Sequence, residues 1–279
     1  MTPDLLDAAR PLIKLALAED IGPGDVTSQS LVGENEVGRG IILAKAHGVI
    51  AGLPIAQTVF REVDPRIEFT PLAQDGEPVA PGNPVAEVSG PLRGILSAER
   101  TALNFLSRLS GIATFTERFV AAVANYKAVI LDTRKTTPGW RQLEKYAVRC
   151  GGGRNHRLGL FDMVLIKDNH IAAVGSLRAA VERVRKARIN LPIAVEVRTL
   201  GELEEALALG VDRVLLDNMD LPTIQEAVRI VGGRVPLEAS GGVTLDNVAE
   251  IAATGVDYIS VGALTHSAPA LDLSLELQP

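Results

Sequence analysis

The stretch PIAVEVRTLGELEEALALGVDRVLLD, residues 192–217, decides the fold. It opens on a short β-rich run, PIAVEV, and passes through an amphipathic segment from Gly201 to Leu209 that stops at Gly210, as helices often do. It then returns to a second β-rich run, DRVLLD, which completes one strand–helix–strand unit. The same rhythm continues on both sides: AVILD at 128–132 and MVLIK at 163–167 precede it, VPLEAS at 235–240 and DYISVG at 257–262 follow, and a further helix is legible from Ser176 to Ala187. Strands alternating with helices in this way predict a parallel sheet. Six of them fit a closed or nearly closed α/β barrel, although the pattern leaves a doubly wound sheet open. The barrel is favoured because the runs end on polar or glycine residues: Asp132, Lys167, Glu196 just before the end of its run, Asp217, Glu238 with Ser240, and Gly262. In a barrel the carboxyl ends of the strands converge on one face, so these residues would share one mouth.

Upstream of this region the pattern differs. A helix is followed by short strands punctuated by GPGD at 22–25, AHGVIAG at 46–52 and QDGEPVAPGNP at 74–84, the signature of an α+β domain. From Ser97, a weak N-cap with Arg100 three residues on, Leu103, Leu106, Leu109 and Ile112 recur at helical spacing and predict a long helix joining two domains. The expected division is 1–110 for the N-terminal α+β domain and 111–267 for the barrel, with 268–279 packing back on the first.

The chain has 279 residues, 47% hydrophobic and 22% charged, which is ample for a buried core and far from the composition of a disordered chain. Its formal charge of -6 offers no global field for a polyanion, so nucleic acid is not an expected partner. The first twenty residues carry Asp4, Asp7, Arg10 and Lys14 among apolar positions, which makes an amphipathic helix and not a signal peptide. The longest stretch without Asp, Glu, Lys or Arg, Ala46 to Phe60, is too short to span a bilayer. A single cysteine, Cys150, can form neither an internal disulfide nor a multi-thiolate metal site, which fits a reducing, cytoplasmic setting. With no base assigned to it, Cys150 reads as a packed residue; His47 and His170 read as loop hydrogen-bonders. Trp140 either covers a substrate entrance or packs behind Arg141.

The chemistry concentrates in Asp132 to His170. Arg134, Lys135, Arg141, Lys145, Arg149, Arg154, His156, Arg157 and Lys167 crowd together in an acidic protein, around a Gly-Gly-Gly run at 151–153. Such a cluster repels itself unless it meets anions, and planar guanidiniums suit carboxylates or phosphates. Ser240-Gly241-Gly242 and Gly262, the latter followed by ALTHS, stand after the last two strands, where barrels commonly seat a phosphate. Glu196 and Asp217, at neighbouring strand ends, suit Mg²⁺ held jointly with phosphate oxygens, or else ion pairs with Arg198 or Arg213.

Read together, LALAEDIGPGDVTS at 15–28, ERTALNFLSRLSGIAT at 99–114, DTRKTTPGWR at 132–141, EKYAVRCGGGRNHRLGL at 144–160, LIKDNH at 165–170, LLDN at 215–218, EASGG at 238–242 and GVDYISVGALTHS at 255–267 closely resemble the quinolinate phosphoribosyltransferase family, essentially end to end. The resemblance implies an N-terminal α+β sandwich domain, an incomplete α/β barrel of about seven strands, and a homodimer. It implies that Arg134, His156, Arg157 and Lys167 hold the two carboxylates of quinolinate, with Arg100 arriving from the partner subunit. It implies further that Lys135, Glu196 and Asp217 handle the pyrophosphate of phosphoribosyl pyrophosphate and its Mg²⁺, that Ser240, Gly241, Gly242, Gly262 and His266 hold the ribose phosphate, and that Glu238 lies near metal or ribose. One departure stands out: the family usually reads Glu-Val-Glu-Val where this chain reads AVEV at 194–197, so Ala194 replaces the first acid and Glu196 keeps the second. Two other classes remain as alternatives: a lyase forming a Schiff base on Lys167, and a non-catalytic small-anion binder. The second would have lost the dicarboxylate-binding set, all of which is present here.

Overall fold

The computed structural model describes residues 3–278, which fall into two units: residues up to Glu117 with Thr136–Gly152 and Leu264 onward, and Arg118–Lys135 with Gly153–Ala263. The chain begins with α1 (Pro3–Ile21) and α2 (Val26–Leu31), followed by β1 (Val37–Ala44), β2 (Gly48–Val49), α3 (Leu53–Val63), β3 (Glu68–Pro71), β4 (Pro78–Val79), β5 (Pro84–Pro91) and the long α4 (Leu92–Ala122). It continues with β6 (Val129–Leu131), α5 (Arg141–Cys150), β7 (Val164–Ile166), α6 (Asp168–Val174), α7 (Leu177–Lys186), β8 (Ile193–Val197), α8 (Leu200–Ala208), β9 (Arg213–Asp217), α9 (Leu221–Val231), β10 (Leu237–Ser240), α10 (Val248–Ala253), β11 (Tyr258–Ser260), α11 (Ala263–His266) and β12 (Leu273–Gln278).

In the first unit an antiparallel sheet of order β12-β1-β5-β3 packs with helices, and β12 returns from the far end of the chain to pair with β1 from Arg39↔Gln278 to Ala44↔Leu273. The helix expected from Ser97 starts at Leu92 instead. Ser97 lies inside α4, and its hydroxyl donates to Asp25 Oδ2 at 3.0 Å, so it supports the cap of α2 and not its own helix. Asp25 is that cap: its Oδ1 accepts from the backbone N–H of Thr27 at 3.1 Å and of Ser28 at 3.0 Å. Helix α4 is buried along its apolar positions, and Gly111 marks its closest contact, since a Cβ there would stand 2.0 Å from the carbonyl oxygen of Pro269. Trp140 stacks on Phe105 with ring centroids 4.7 Å apart, so the only tryptophan packs within this unit.

The second unit is built on a six-stranded parallel sheet of order β6-β11-β10-β9-β8-β7. Successive strands from β7 to β11 lie side by side without a reversal, which excludes the doubly wound alternative, where strand order switches direction in the middle. Six strands stand where the family resemblance implied about seven, and among the described residues the sheet does not close. The missing position is occupied by a single bridge: Arg154 N–H donates to the Ile130 carbonyl at 2.9 Å and its carbonyl accepts from Asp132 N–H at 3.2 Å. The bridge cannot grow into a strand because the next backbone donor, His156 N–H, is captured by the Asp132 carboxylate at 2.8 Å.

The parallel register sorts the sheet into two faces, because residues paired across strands point the same way. One face carries Ile130, Val195, Val197, Val214, Leu216, Ala239 and Ile259, all buried, the Ile, Val and Leu side chains contributing roughly 1.5–3 kcal/mol each. Helix α8 packs on β8 and α10 on β11, while α7, α8, α9 and α10 contact one another in turn. Three of these helices are started by their own sequence: Ser176, Thr199 and Asp220 cap α7, α8 and α9 with side-chain oxygens, and Gly210 follows α8 at φ +64°. The opposite face carries the polar residues.

Candidate active site

Two rungs of the sheet set the depth of the site. On the lower rung Glu196, Leu215, Glu238, Tyr258 and Val129 lie side by side; on the upper rung Asp217, Ser240, Ser260 and Leu131 do. Lys167 follows β7 at the level of Glu196, and Arg213 enters lower down, beside Ala194. Lys167, Glu196, Asp217, Glu238 and Ser240 therefore share one face of the second unit, whereas Asp132, expected with them, lies beyond β6 and bonds Asn155 and His156. Arg198, Arg213, Tyr258 and Ser260 join them there and were not singled out as candidate site residues; their signal is the period of two that places them in line with Glu196, Asp217 and Glu238.

The contacts on this face are close. Lys167 Nζ donates to Glu196 Oε2 at 2.5 Å, and Lys167 N–H donates to His170 Nδ1 at 3.0 Å, which gives His170 the loop role expected of it. Asp217 pairs with Arg198, whose Nε reaches Oδ2 at 3.3 Å, while the same guanidinium reaches Asp168 at 3.0 Å. Arg213 pairs with Glu238 instead, at 3.1 Å, and lies over the Tyr258 ring at 4.3 Å from its centroid.

Glu238 is fully buried and is not a strand-end residue. Its Oε1 accepts from Ser260 Oγ and stands 3.3 Å from His156 Nε2. Burial would push this carboxyl up, but the hydrogen bonds from His156 and Ser260 and the charge of Arg213 hold it below its ordinary value. His156 is 7% exposed, and its Nδ1 accepts from the N–H of Arg157 at 2.7 Å. Asp132, also fully buried, takes the N–H of His156 on one oxygen and Asn155 Nδ2 on the other at 2.6 Å.

Arg134 and Arg157 come together in the chain segment between β6 and β7. Arg157 donates to the Met163 carbonyl at 3.1 Å, and burial together with the charge of Arg134 pulls its guanidinium below its ordinary value. Two like charges so placed are relieved by an anion. The loop that carries them is tied by Asp162, whose carboxylate accepts from Leu158 N–H at 2.6 Å and Gly159 N–H at 3.0 Å. Burial would raise Asp162, yet these donors and Arg157 keep it lowered. Lys135 is exposed on the turn after β6, where its N–H donates to Thr133 Oγ1 at 3.0 Å.

At the ends of β9 and β10 the backbones approach closely. Asn218 adopts φ +53° and donates its N–H to the Ser240 carbonyl at 2.9 Å; a Cβ on Gly241, itself at φ +96°, would stand 2.1 Å from Asn218 Oδ1. The positive φ favours glycine there, and any larger residue would also have to displace the Asn218 side chain. Gly242 is exposed beside it, and its carbonyl accepts from Asn247 Nδ2 at 2.9 Å. Gly262 follows β11 in the same unit. Arg100, on α4, and His266, at the end of α11, belong to the first unit and are both exposed; His266 Nδ1 lies 2.6 Å from Ser267 Oγ. Arg141, Lys145 and Arg149 sit on α5 in the first unit as well.

Among the described residues no group of three or more His, Cys, Asp or Glu side chains forms a ready metal cage. Glu196 and Asp217, on adjacent strands of one face, suit a hard cation that brings most of its oxygen ligands with it. No helix among the described residues is long and apolar enough to cross a membrane.

Comparison with known proteins agrees along the whole chain. The models for the quinolinate phosphoribosyl transferase N-terminal and C-terminal domains match residues 25–110 and 112–276. The nicotinate-nucleotide pyrophosphorylase [carboxylating] of Mycobacterium leprae is 48% identical over 277 residues, covering 97% of this chain and 98% of that one. The chloroplastic protein of the same name from Arabidopsis thaliana is 43% identical over 288 residues, 96% of this chain and 82% of its own. The solved nicotinate-nucleotide pyrophosphorylase of Francisella tularensis superposes with a TM-score of 0.95 at 43% identity, covering 100% of this chain and 98% of that one.

Proposed function

The chain belongs to the quinolinate phosphoribosyltransferase family, and on that premise we propose how its residues divide the work. The enzyme transfers phosphoribosyl from phosphoribosyl pyrophosphate to quinolinate and releases CO₂, giving nicotinate mononucleotide and pyrophosphate for NAD biosynthesis. The ring nitrogen forms a bond to the anomeric carbon as pyrophosphate departs with the bonding pair. The carboxylate beside the now cationic nitrogen leaves as CO₂, and a solvent proton takes up the electron pair left on the ring carbon.

One observation supports the assignment of residues: the polar face is segregated. Arg134 and Arg157 crowd one another in the segment between β6 and β7, while Asp217 and the Ser240-Gly241-Gly242 loop lie at the ends of β9 and β10, and the Lys167–Glu196 pair links β7 to β8. A planar dicarboxylate suits the first region, where guanidiniums bind carboxylates in a fixed fork. A phosphoribosyl group suits the second, where exposed glycine N–H groups approach a phosphate without side-chain obstruction. Glu196 and Asp217 would hold ribose hydroxyls and stabilise the positive charge that builds on the ribose, and Lys135 would stabilise the departing pyrophosphate. Mg²⁺ bound with the pyrophosphate would offset its charge, with Glu196 and Asp217 as protein ligands. Ala194 lies on the same face but beside Arg213, deeper than Glu196, so the missing acid is not at the strand end. Arg100, exposed on α4, would complete the dicarboxylate site of the partner subunit in a homodimer.

Engagement of Lys167 Nζ as a donor to Glu196 supports a charged anchor and not a carbonyl-attacking amine. Steady-state kinetics of four variants test the division. Arg134→Ala and Lys167→Ala should raise KM for quinolinate by about 10- to 100-fold, the loss of one hydrogen-bonded charge, with KM for phosphoribosyl pyrophosphate nearly unchanged. Glu196→Gln and Asp217→Asn should lower kcat and alter Mg²⁺ dependence while quinolinate binding holds. The reverse pattern would overturn the assignment.

A further inference from the structure

Resemblance to the family leaves Glu238 near metal or ribose, and His156 as a direct quinolinate ligand. The hydrogen bonds of this chain point elsewhere. Both ring nitrogens of His156 are engaged within the protein: Nδ1 accepts from Arg157 N–H at 2.7 Å, and Nε2 lies 3.3 Å from Glu238 Oε1. A nitrogen that accepts a backbone N–H carries no proton, so the proton resides on Nε2 and is directed at the carboxylate. Glu238 in turn is enclosed: Ser260 Oγ donates to Oε1, Arg213 Nη1 donates to Oε2 at 3.1 Å, and its side chain has no exposure to solvent. A carboxylate held on both oxygens inside the sheet is poorly placed to ligate a cation that enters from the strand ends.

We propose that Glu238 and Ser260 are positioning residues: they fix the Nε2–H tautomer of His156, and through it the backbone of Arg157, so that the Arg157 guanidinium is set to read a carboxylate of quinolinate. Asp132 anchors the same segment from β6, through His156 N–H and Asn155 Nδ2. The three consecutive residues Asn155, His156 and Arg157 are thus pinned by two buried carboxylates, one just after β6 and one on β10. Positioning of this kind matters because a displacement of about 1 Å at a binding group can cost on the order of 100-fold in rate.

The proposal rests on the assignment of Arg157 to quinolinate, so Arg157→Ala is measured beside the test variants. Glu238→Gln and Ser260→Ala would be assayed in the full-length enzyme for KM of each substrate and for kcat, with quinolinate affinity measured directly by calorimetry. Glu238→Gln should raise KM and the dissociation constant for quinolinate by about 10-fold or more, with KM for phosphoribosyl pyrophosphate and Mg²⁺ dependence within about twofold of wild type. Ser260→Ala should do the same more weakly, and it keeps the buried carboxylate in case Glu238→Gln does not fold. The ¹⁵N shifts of His156, assigned against His156→Gln, should show a protonated Nε2 and a bare Nδ1 in the wild type, and a changed Nε2 signal in Ser260→Ala. If Arg157→Ala weakens quinolinate but Glu238→Gln and Ser260→Ala do not, or if Glu238→Gln acts on phosphoribosyl pyrophosphate or Mg²⁺ instead, the positioning role is overturned. If Arg157→Ala leaves quinolinate binding intact, the assignment of Arg157 itself has failed.

Discussion

Cys150 shows how a residue's surroundings decide its chemistry. Burial, with a further push from the nearby Asp75 carboxylate, raises its thiol to about 11. A raised value keeps the proton on, so at pH 8 the thiolate is scarcer than in a free cysteine of value 9.0 by about 100-fold. Alkylation by iodoacetamide at pH 8 should be slower by about that factor than in the unfolded chain, and Cys150→Ala should keep full activity; rapid labelling with parallel inactivation would contradict both. This packed role is legible in the sequence from the lack of a partnered base. The His156–Glu238 contact is not legible, because it joins residues far apart in the chain and depends on strand register, which fixes who faces whom only after the sheet has formed. What the sequence does show at this scale is the polar residue at each strand end, since a charge that interrupts an apolar run is visible without knowing its partner.

Among elements, the left-handed turn after β10, packed on the Asn218 side chain, explains why glycine follows Ser240. Gly241→Ala combines a strained φ of +96° with a Cβ 2.1 Å from Asn218, so it should destabilise the second unit by about 1–3 kcal/mol in guanidinium unfolding. It should also raise KM for phosphoribosyl pyrophosphate more than that for quinolinate, because the loop lies on the phosphate side. Equal effects on both substrates would place the loop differently. All six parallel strands and the helices capped by Ser176 and Thr199 can be read from periodicity and end signals. The true start of α4 cannot, because Leu92 offers no capping side chain while Ser97, which does, spends its hydroxyl on Asp25. Nor can the reduction of a seventh strand to one bridge at Arg154, which turns on a single backbone donor captured by Asp132.

For the whole molecule, the cations of residues 136–152 mark this stretch in the sequence as an anion-binding cluster, and its helix is not read from them; the structure forms α5 there and groups the stretch with the N-terminal unit. Subunit sharing is tested by co-expressing Arg100→Ala with Lys167→Ala and assaying at quinolinate concentrations well below the raised KM, where either variant alone turns over slowly. If Arg100 serves the partner's site, random pairing gives one intact site in each mixed dimer and restores about a quarter of wild-type activity; if it serves its own site, none returns. The reaction itself is tested most directly by product stoichiometry. Purified protein would be given phosphoribosyl pyrophosphate and Mg²⁺ with either nicotinate or quinolinate labelled in the carboxylate beside the nitrogen. With quinolinate, nicotinate mononucleotide, pyrophosphate and labelled CO₂ should appear in equal amounts, and nicotinate should give no nucleotide. Nucleotide formed from nicotinate, or formed from quinolinate without loss of CO₂, would contradict the account.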